Sequence, residues 1–428
     1  MDARQRWLWT ALLITTLIAG LVYSLVQPLG NAPDETAHMR YIRFLQQEHR
    51  LPEWKLEKGG EAGYEGQHPP LYYFAGSLIY AATSALSEPW RWQVLRWSSL
   101  ALGLVLALVI RGLCLAYFRN KFSPAFTATA AFCATPLVLE YLSHINPDAL
   151  SVLWSAIVLW MAIKIARGED TPRDRVVLGV ALGLGLLTKL TILGTGPVVL
   201  AAFAIRPTGY ENSKSKFFAL LETILIAVLI GGWWYVRNSW LYNTPFLHTA
   251  GRFGSGVNVV RGAGQFGHFL GFTLKATYLS AWQEIGWTPG LLGVLLYSLI
   301  TMLLVIAVLV AVTKRLRYRS GNFDPAPWLC GLFILTLIVS HQAQVWLVDF
   351  EFNAGGRYLL NGLIAVHLLV IGSFGGLKWT RTLQAVWVGV FVIFSIASVH
   401  NLATSVNPSA IPAWQPLHIY PNYPVDME

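Results

Sequence analysis

The sequence predicts an all-α polytopic membrane protein, and three observations carry that prediction. Hydrophobic residues fill 55% of the 428 positions and charged residues only 12%, about half the charge of an ordinary soluble domain, and the mean hydropathy is +0.50. Apolar runs long enough to span a bilayer recur from end to end. The 18 tryptophans suit interfacial belts and helix packing. A net charge of +9 would point to nucleic acid in a soluble protein. Here the basic residues cluster between apolar runs and act as topology determinants, so no nucleic-acid partner is expected.

Taken in order, the runs cover roughly 7–26, 97–117, 124–143, 149–166, 175–190, 191–205, 217–236, 291–312, 327–347, 358–376 and 384–402, eleven in all. Alternate connections are basic: Arg4 and Arg6; Arg119 and Lys121; Lys164, Arg167, Arg173 and Arg175; Arg206, Lys214 and Lys216; Lys314, Arg315, Arg317 and Arg319; Lys378 and Arg381. These read as cytoplasmic, which puts the amino terminus inside and the carboxyl terminus outside. A twelfth apolar stretch, Leu71 to Leu86, would invert every later basic loop if it crossed. It is therefore expected to lie at the outer surface or dip partway in. The first run, preceded by Arg4 and Arg6, resembles a signal peptide, but it leads directly into an acidic motif and reads better as an uncleaved anchor.

With this topology the polar motifs fall on one face. The first outer loop, 27–96, carries Asp34, Glu35 and His68, and the next polar turn carries His144, Asn146 and Asp148. Lys189 lies between two runs and Arg237 ends another. The long outer loop 238–290 carries Glu284 between Trp282 and Trp287, and Asp349, Glu351, Arg357 and Tyr358 join the ninth and tenth runs. One outer cavity could collect them, and ionisable groups beside lipid mark function more often than structure. The chain is expected to form a single integral-membrane domain over 1–428, ending in a short outer tail, 403–428.

Each residue also has a purely structural reading. Asn31 and Asp34 could cap a helix, with Glu35 favouring its amino end. His68 before two prolines is ordinary turn chemistry, and Asp148 after Pro147 is a common helix start. Lys189 could mark a turn, and Arg237 and Arg357 could snorkel to the interface. Gly179, Gly183 and Gly185 recur within an apolar helix and read as packing rather than nucleotide binding. Cys114, Cys133 and Cys330 lie in or beside apolar runs and imply no disulfide framework. Asp34, His38, His68, His144 and Asp148 offer metal donors on one face without recognisable ligand spacing. No cofactor is expected, and a divalent metal is the lesser alternative.

Six motifs together carry a resemblance. They are Pro33-Asp34-Glu35 with His38, His68-Pro69-Pro70 with Tyr72-Tyr73, Asn146-Pro147-Asp148, Gly185 with Thr188-Lys189, Gly232-Trp233-Trp234 with Arg237-Asn238, and Gly356-Arg357-Tyr358. In this order they resemble the GT-C superfamily, the membrane glycosyltransferases that include the protein O-mannosyltransferases and the aminoarabinose transferases acting on lipid A. The pattern is nearest to bacterial branches. The resemblance implies an outer-face enzyme in the bacterial plasma membrane, using a polyprenyl-phosphate-linked sugar and an inverting displacement onto a lipid, glycan or protein acceptor.

It also implies Asp34 as general base with Glu35 as a supporting carboxylate. Lys189, Arg237 and Arg357 would hold the lipid phosphate, His68, Asp148, Glu284 and Tyr358 would line the substrate site, and the lipid tail would lie in a groove between spans. A transporter or flippase of lipid-linked sugars, or a non-catalytic scaffold of the same fold, is the alternative. Transporters, however, bind near the midplane and are often built from repeats, and neither feature is evident here.

Overall fold

The computed structural model describes residues 2–54, 60–207, 213–247, 263–284, 288, 290–317, 323–347 and 355–406. Among the described residues the regular structure is helical throughout. In chain order the α-helices are α1 (Ala3–Val26), α2 (Glu35–Glu48), α3 (Leu71–Ala82), α4 (Glu88–Tyr117), α5 (Phe122–Ala134), α6 (Pro136–Leu142), α7 (Asp148–Arg167) and α8 (Pro172–Leu186). They continue with α9 (Gly196–Ile205), α10 (Ser213–Tyr242), α11 (Ala263–Ser280), α12 (Gly290–Arg317), α13 (Ala326–Leu347), α14 (Leu363–Phe374) and α15 (Thr380–Asn401). Three 3-10 turns, Tyr64–Gln67, Leu190–Thr195 and Gly356–Gly362, sit where the polar motifs lie.

All eleven apolar runs are helical, but their division differs from the expected eleven spans. Eight described helices are long and apolar enough to cross a membrane, or nine if the pair α5 and α6, bent by 64°, counts as one. Pro136 cannot donate a backbone hydrogen bond at the start of α6, which accounts for the break. The runs at 175–190 and 191–205 become the 15-residue α8 and the apolar segment Leu190–Ile205, neither among the helices long enough to cross a membrane. Their division falls at Thr188-Lys189, where the chain is pulled into a polar contact. The expected outer loop 238–290 also contains helix: α10 continues to Tyr242, and α11 occupies Ala263–Ser280. Leu71–Ala82, expected outside the spanning set, is a 12-residue apolar helix.

The centre of the bundle is α7, packed against α4, α8 and α9. Its 20 residues separate Asp148 at one end from Arg167 at the other by about 30 Å. At the Arg167 end, Gly168 stops the helix with φ +69°, and ion pairs Arg167–Asp324 (2.9 Å) and Arg206–Asp170 (3.0 Å) tie the loops together. Beyond it, α8 opens with a reciprocal capping box between Thr171 and Asp174. The glycine stretch is a packing surface. A Cβ at Gly179 would stand 2.8 Å from the Ile226 Cβ of α10, and one at Gly183 would stand 2.7 Å from the Ile230 Cβ. All three cysteines are free and buried.

Candidate active site

The cluster at the Asp148 end of α7 starts with the junction between α1 and α2. Arg96 of α4 is fully buried and donates to the carbonyls of Ser24 and Gln27 (2.9 and 2.7 Å) and of Pro28 (2.9 Å). It also grips Glu35 through two bonds of 2.7 and 2.6 Å. Glu35 in turn accepts the amides of Gly30 (2.9 Å) and Ile145 (3.1 Å). Both side chains are 0% exposed, so the pair is an anchor tying α1, α2, α4 and the turn before α7. His144, bonded to Gln27, lies within this anchor.

Because Glu35 is pinned, the residue before it is held out of helical geometry. Asp34 has φ +59° and its side chain makes no capping hydrogen bond, unlike the expected helix cap. Left-handed backbone costs an L-residue roughly 1–2 kcal/mol, less for Asp than for most. Its carboxylate turns to Arg357 Nη2 at 2.9 Å and accepts the Tyr64 hydroxyl. The pair remains partly accessible, at 26% and 21%. Burial works against the Asp34 carboxylate, but Arg357, His38 and the Tyr64 hydroxyl outweigh burial and neighbouring Glu65, holding its pKa below the ordinary value.

Glu65 forms the second knot. It pairs with His68 Nε2 at 2.8 Å and lies 3.5 Å from His38 Nδ1, while His38 also meets the Tyr73 hydroxyl at 2.9 Å. Glu65 is buried, yet His68, His38 and Lys189 hold its carboxyl well down. Burial dominates at His38 and lowers its pKa. Asp148 and Lys189 pair at 2.7 Å. Asn146 prepares this contact by accepting the Asp148 amide at 2.8 Å while donating to the Tyr141 carbonyl.

Arg357 and Tyr358 are delivered by the 3-10 turn Gly356–Gly362. Gly356 allows the turn to press on α11: a Cβ there would fall 2.1 Å from the Ala281 amide nitrogen and 2.4 Å from the Thr277 carbonyl oxygen. Asn361 ties the turn to Ser151 and Thr191 (3.1 and 3.2 Å). The Tyr358 ring lies 5.3 Å from the Arg357 guanidinium and 5.9 Å from Lys189 Nζ.

On the opposite side of Arg357, Glu284 is clamped by α6. Leu137 donates its amide to the Trp282 carbonyl (3.0 Å), Glu140 accepts the Glu284 amide (3.0 Å), and Tyr141 donates to the Glu284 carboxylate. Burial raises the Glu284 pKa against the pull of Arg357.

The structure thus gathers Asp34, His68, Asp148, Lys189, Glu284, Arg357 and Tyr358. Glu35 stands behind Asp34 as its anchor. Arg237 has other neighbours: it donates to the Pro52 carbonyl at 2.9 Å and lies over Trp234 at 5.1 Å. Trp282 is buried against Trp387 and Phe391; Trp287, Asp349 and Glu351 lie outside the described residues. Sequence reasoning missed Glu65, Tyr64 and Arg96. Glu65, three positions before His68, was the most readable of these. Among the described residues no three His, Cys, Asp or Glu side chains converge on a possible metal position.

An apolar cavity of about 600 Å³ adjoins the cluster, lined by residues including Thr277, Trp282, Val312, Leu337, Leu359 and Ser373 from α11 to α14 and neighbouring turns. Leu359 follows Tyr358 directly, so one wall residue of the cavity stands on the same 3-10 turn as Arg357.

Comparison with known proteins agrees with this architecture. Residues 67–235 match the family model described as dolichyl-phosphate-mannose-protein mannosyltransferase. No curated protein sequence matches. Among solved structures, the chain is similar to ArnT from Cupriavidus metallidurans bound to undecaprenyl phosphate, with a TM-score of 0.59, 14% identity, and coverage of 94% of this chain and 77% of that one. It is also similar to the oligosaccharyltransferase of Archaeoglobus fulgidus in its apo form, with a TM-score of 0.52, 13% identity, and coverage of 96% and 57%.

The all-helical architecture of this chain is the fold these structural matches share. The chain therefore has the fold of these two solved structures, and its residues 67–235 match the mannosyltransferase family model.

Proposed function

We propose that the protein transfers a sugar from a polyprenyl-phosphate donor to an acceptor hydroxyl, with Asp34 as general base. The observation that carries this reading is the Asp34–Arg357 pair, 2.9 Å apart and partly accessible, with Arg357 on the same 3-10 turn as Leu359 and Gly362, which line the apolar cavity of about 600 Å³. An amphiphilic donor needs both parts together: a cationic head site and an apolar slot for its tail. The undecaprenyl phosphate bound by the similar ArnT structure has this chemistry.

In the transfer, the acceptor oxygen attacks the anomeric carbon while its proton passes to the Asp34 carboxylate. The bond from that carbon to the phosphate oxygen breaks, and the lipid phosphate leaves with the electron pair. One displacement inverts the anomeric centre. Arg357 and Lys189 neutralise the leaving phosphate, Arg357 with a planar fork and Lys189 as a point charge. In the resting protein both cations are paired with carboxylates. A donor phosphate draws Arg357 away from Asp34, and the carboxylate becomes a stronger base as it loses that partner. Glu35 supports the base from behind, and His68, Asp148, Glu284 and Tyr358 surround the sugar. Arg237 is a more distant contributor at the edge of the site.

Basic residues gather at the Arg167 end of α7, which favours a cytoplasmic position for that end and a periplasmic or exterior one for the Asp34 cluster, in the bacterial inner membrane that the GT-C resemblance implies. The acceptor is a lipid, glycan or protein hydroxyl.

The test uses the full chain in proteoliposomes with a labelled polyprenyl-phosphate sugar. Asp34→Asn should lower transfer by about 10² or more while keeping affinity for the donor. Asparagine tolerates left-handed backbone, so the local turn survives. Near-normal transfer by this variant would sink the assignment. Sugar-lipid translocation without transfer in the unaltered protein would favour a flippase instead.

A further inference from the structure

His341 is a buried histidine beside the cluster that the transfer chemistry above leaves unused. It lies on α13 at 4% exposure, and its ring is stacked on Tyr358 with centroids 4.9 Å apart and 25° between planes. Nε2 meets the Thr277 hydroxyl at 3.4 Å. Nδ1 is buried and has no hydrogen-bond partner. A polar atom in that condition is costly to keep unless something bonds it in another state of the protein.

Its surroundings say what that partner is. Thr277, on one side of the ring, lines the apolar cavity. Tyr358, on the other, carries Arg357 and Lys189 on its faces. His341 therefore stands on the boundary between cavity and cations, and the phosphate of an isoprenoid lipid occupies such a boundary because its tail is apolar and its head is charged. Gln342 accepts from Thr273 at 2.7 Å and donates to the Thr277 hydroxyl at 3.2 Å. In the tautomer where that hydroxyl donates to Nε2, the ring proton sits on Nδ1, and this is the tautomer the proposal takes.

We propose that His341 is a third ligand of the donor phosphate, giving its Nδ1–H to a phosphate oxygen beside Arg357 and Lys189. This rests on the lipid-phosphate reading above. A neutral N–H at this position adds direction without adding charge, and it reads the phosphate from the tail side, opposite the carboxylates that pair with the two cations.

Binding of labelled undecaprenyl phosphate and of undecaprenol, its phosphate-free alcohol, to the full-length protein in detergent tests the proposal. His341→Phe keeps a ring to stack on Tyr358 and removes both nitrogens. It should bind undecaprenyl phosphate roughly tenfold more weakly and undecaprenol as before. His341→Asn, whose amide N–H can stand in for Nδ1–H, should recover most of the loss. Unchanged phosphate-lipid affinity in His341→Phe overturns the proposal, as does an equal loss for both lipids, which would make the residue a wall of the cavity. If the unaltered protein does not prefer undecaprenyl phosphate to undecaprenol, the donor reading itself fails, and the His341 assignment with it.

Discussion

Asp34 and Arg357 meet at 2.9 Å from opposite ends of the chain, one at a left-handed turn before α2 and the other on a 3-10 turn before α14. Neither turn is self-supporting. The Glu35–Arg96 anchor holds the first, and the close seat of Gly356 on α11 holds the second.

This pairing predicts a pH effect. Asp34 must be ionised to accept a proton, and its pKa lies below the ordinary carboxylate value because Arg357, chief among its neighbours, offsets burial. The acid limb of kcat/KM should therefore lie below the usual carboxylate range. Arg357→Gln should move that limb upward and also weaken donor binding. A pH–rate profile whose acid limb is the same in both proteins would remove Asp34 as the titrating base.

Lys189 and Asp148 predict a different signature. Lys189→Ala leaves Asp148 without its 2.7 Å partner and, on the proposed function, removes a charge-assisted contact to the phosphate. Donor affinity should fall by roughly 10- to 100-fold, measured with labelled polyprenyl phosphate. Unchanged affinity in both Lys189→Ala and Arg357→Gln would refute the assignment of these cations to the phosphate.

The anchor is a stability element. Both Glu35 and Arg96 are 0% exposed, and removing one member of such a pair costs about 3–5 kcal/mol, because the other is left charged in a closed site. Arg96→Met should therefore lower the thermal midpoint in detergent sharply. Burial opposes ionisation of Glu35, but Arg96 and the Ile145 amide depress its pKa overall. Its contribution is thus complete above the unfolded value of about 4.3 and is lost as pH falls through the lower folded value. The acid-induced loss of stability should flatten in Glu35→Gln.

Gly356 predicts a positional effect. Its substitution by Ala drives a methyl group to 2.1 Å from the Ala281 backbone nitrogen, and backbone cannot yield as a side chain can. The turn must lift, carrying Arg357 away from Asp34. Gly356→Ala should reduce donor affinity and turnover together, at a stability cost of about 1–3 kcal/mol or more. Ala substitution at Gly389, where a Cβ meets nothing within 4 Å, is the control.

Much of this site was legible before any coordinates. The basic loops place Asp34, Asp148, Lys189 and Arg357 on a common face, because charge beside lipid is costly enough to leave a pattern in the sequence. Glu65 and Tyr64 leave less: Glu65 stands three positions before His68, but their short 3-10 turn imposes no long period from which orientation can be read. Arg96 borders an apolar run and looks like an interfacial residue, yet it is completely buried because Glu35 and three carbonyls together satisfy its guanidinium. The helix α11 was hidden in a stretch too polar to resemble a span.

The sequence by itself determined the class of solvent, the helical architecture and the residue types available for chemistry, since hydropathy and charge act locally and accumulate along the chain. Only the tertiary structure decided which of those residues touch. It set Arg237 against Pro52, put Glu35 behind the site instead of within it, and brought His341 to the edge of the cavity. Such choices depend on contacts between distant segments, where packing and hydrogen-bond satisfaction select one partner among several that local pattern allows.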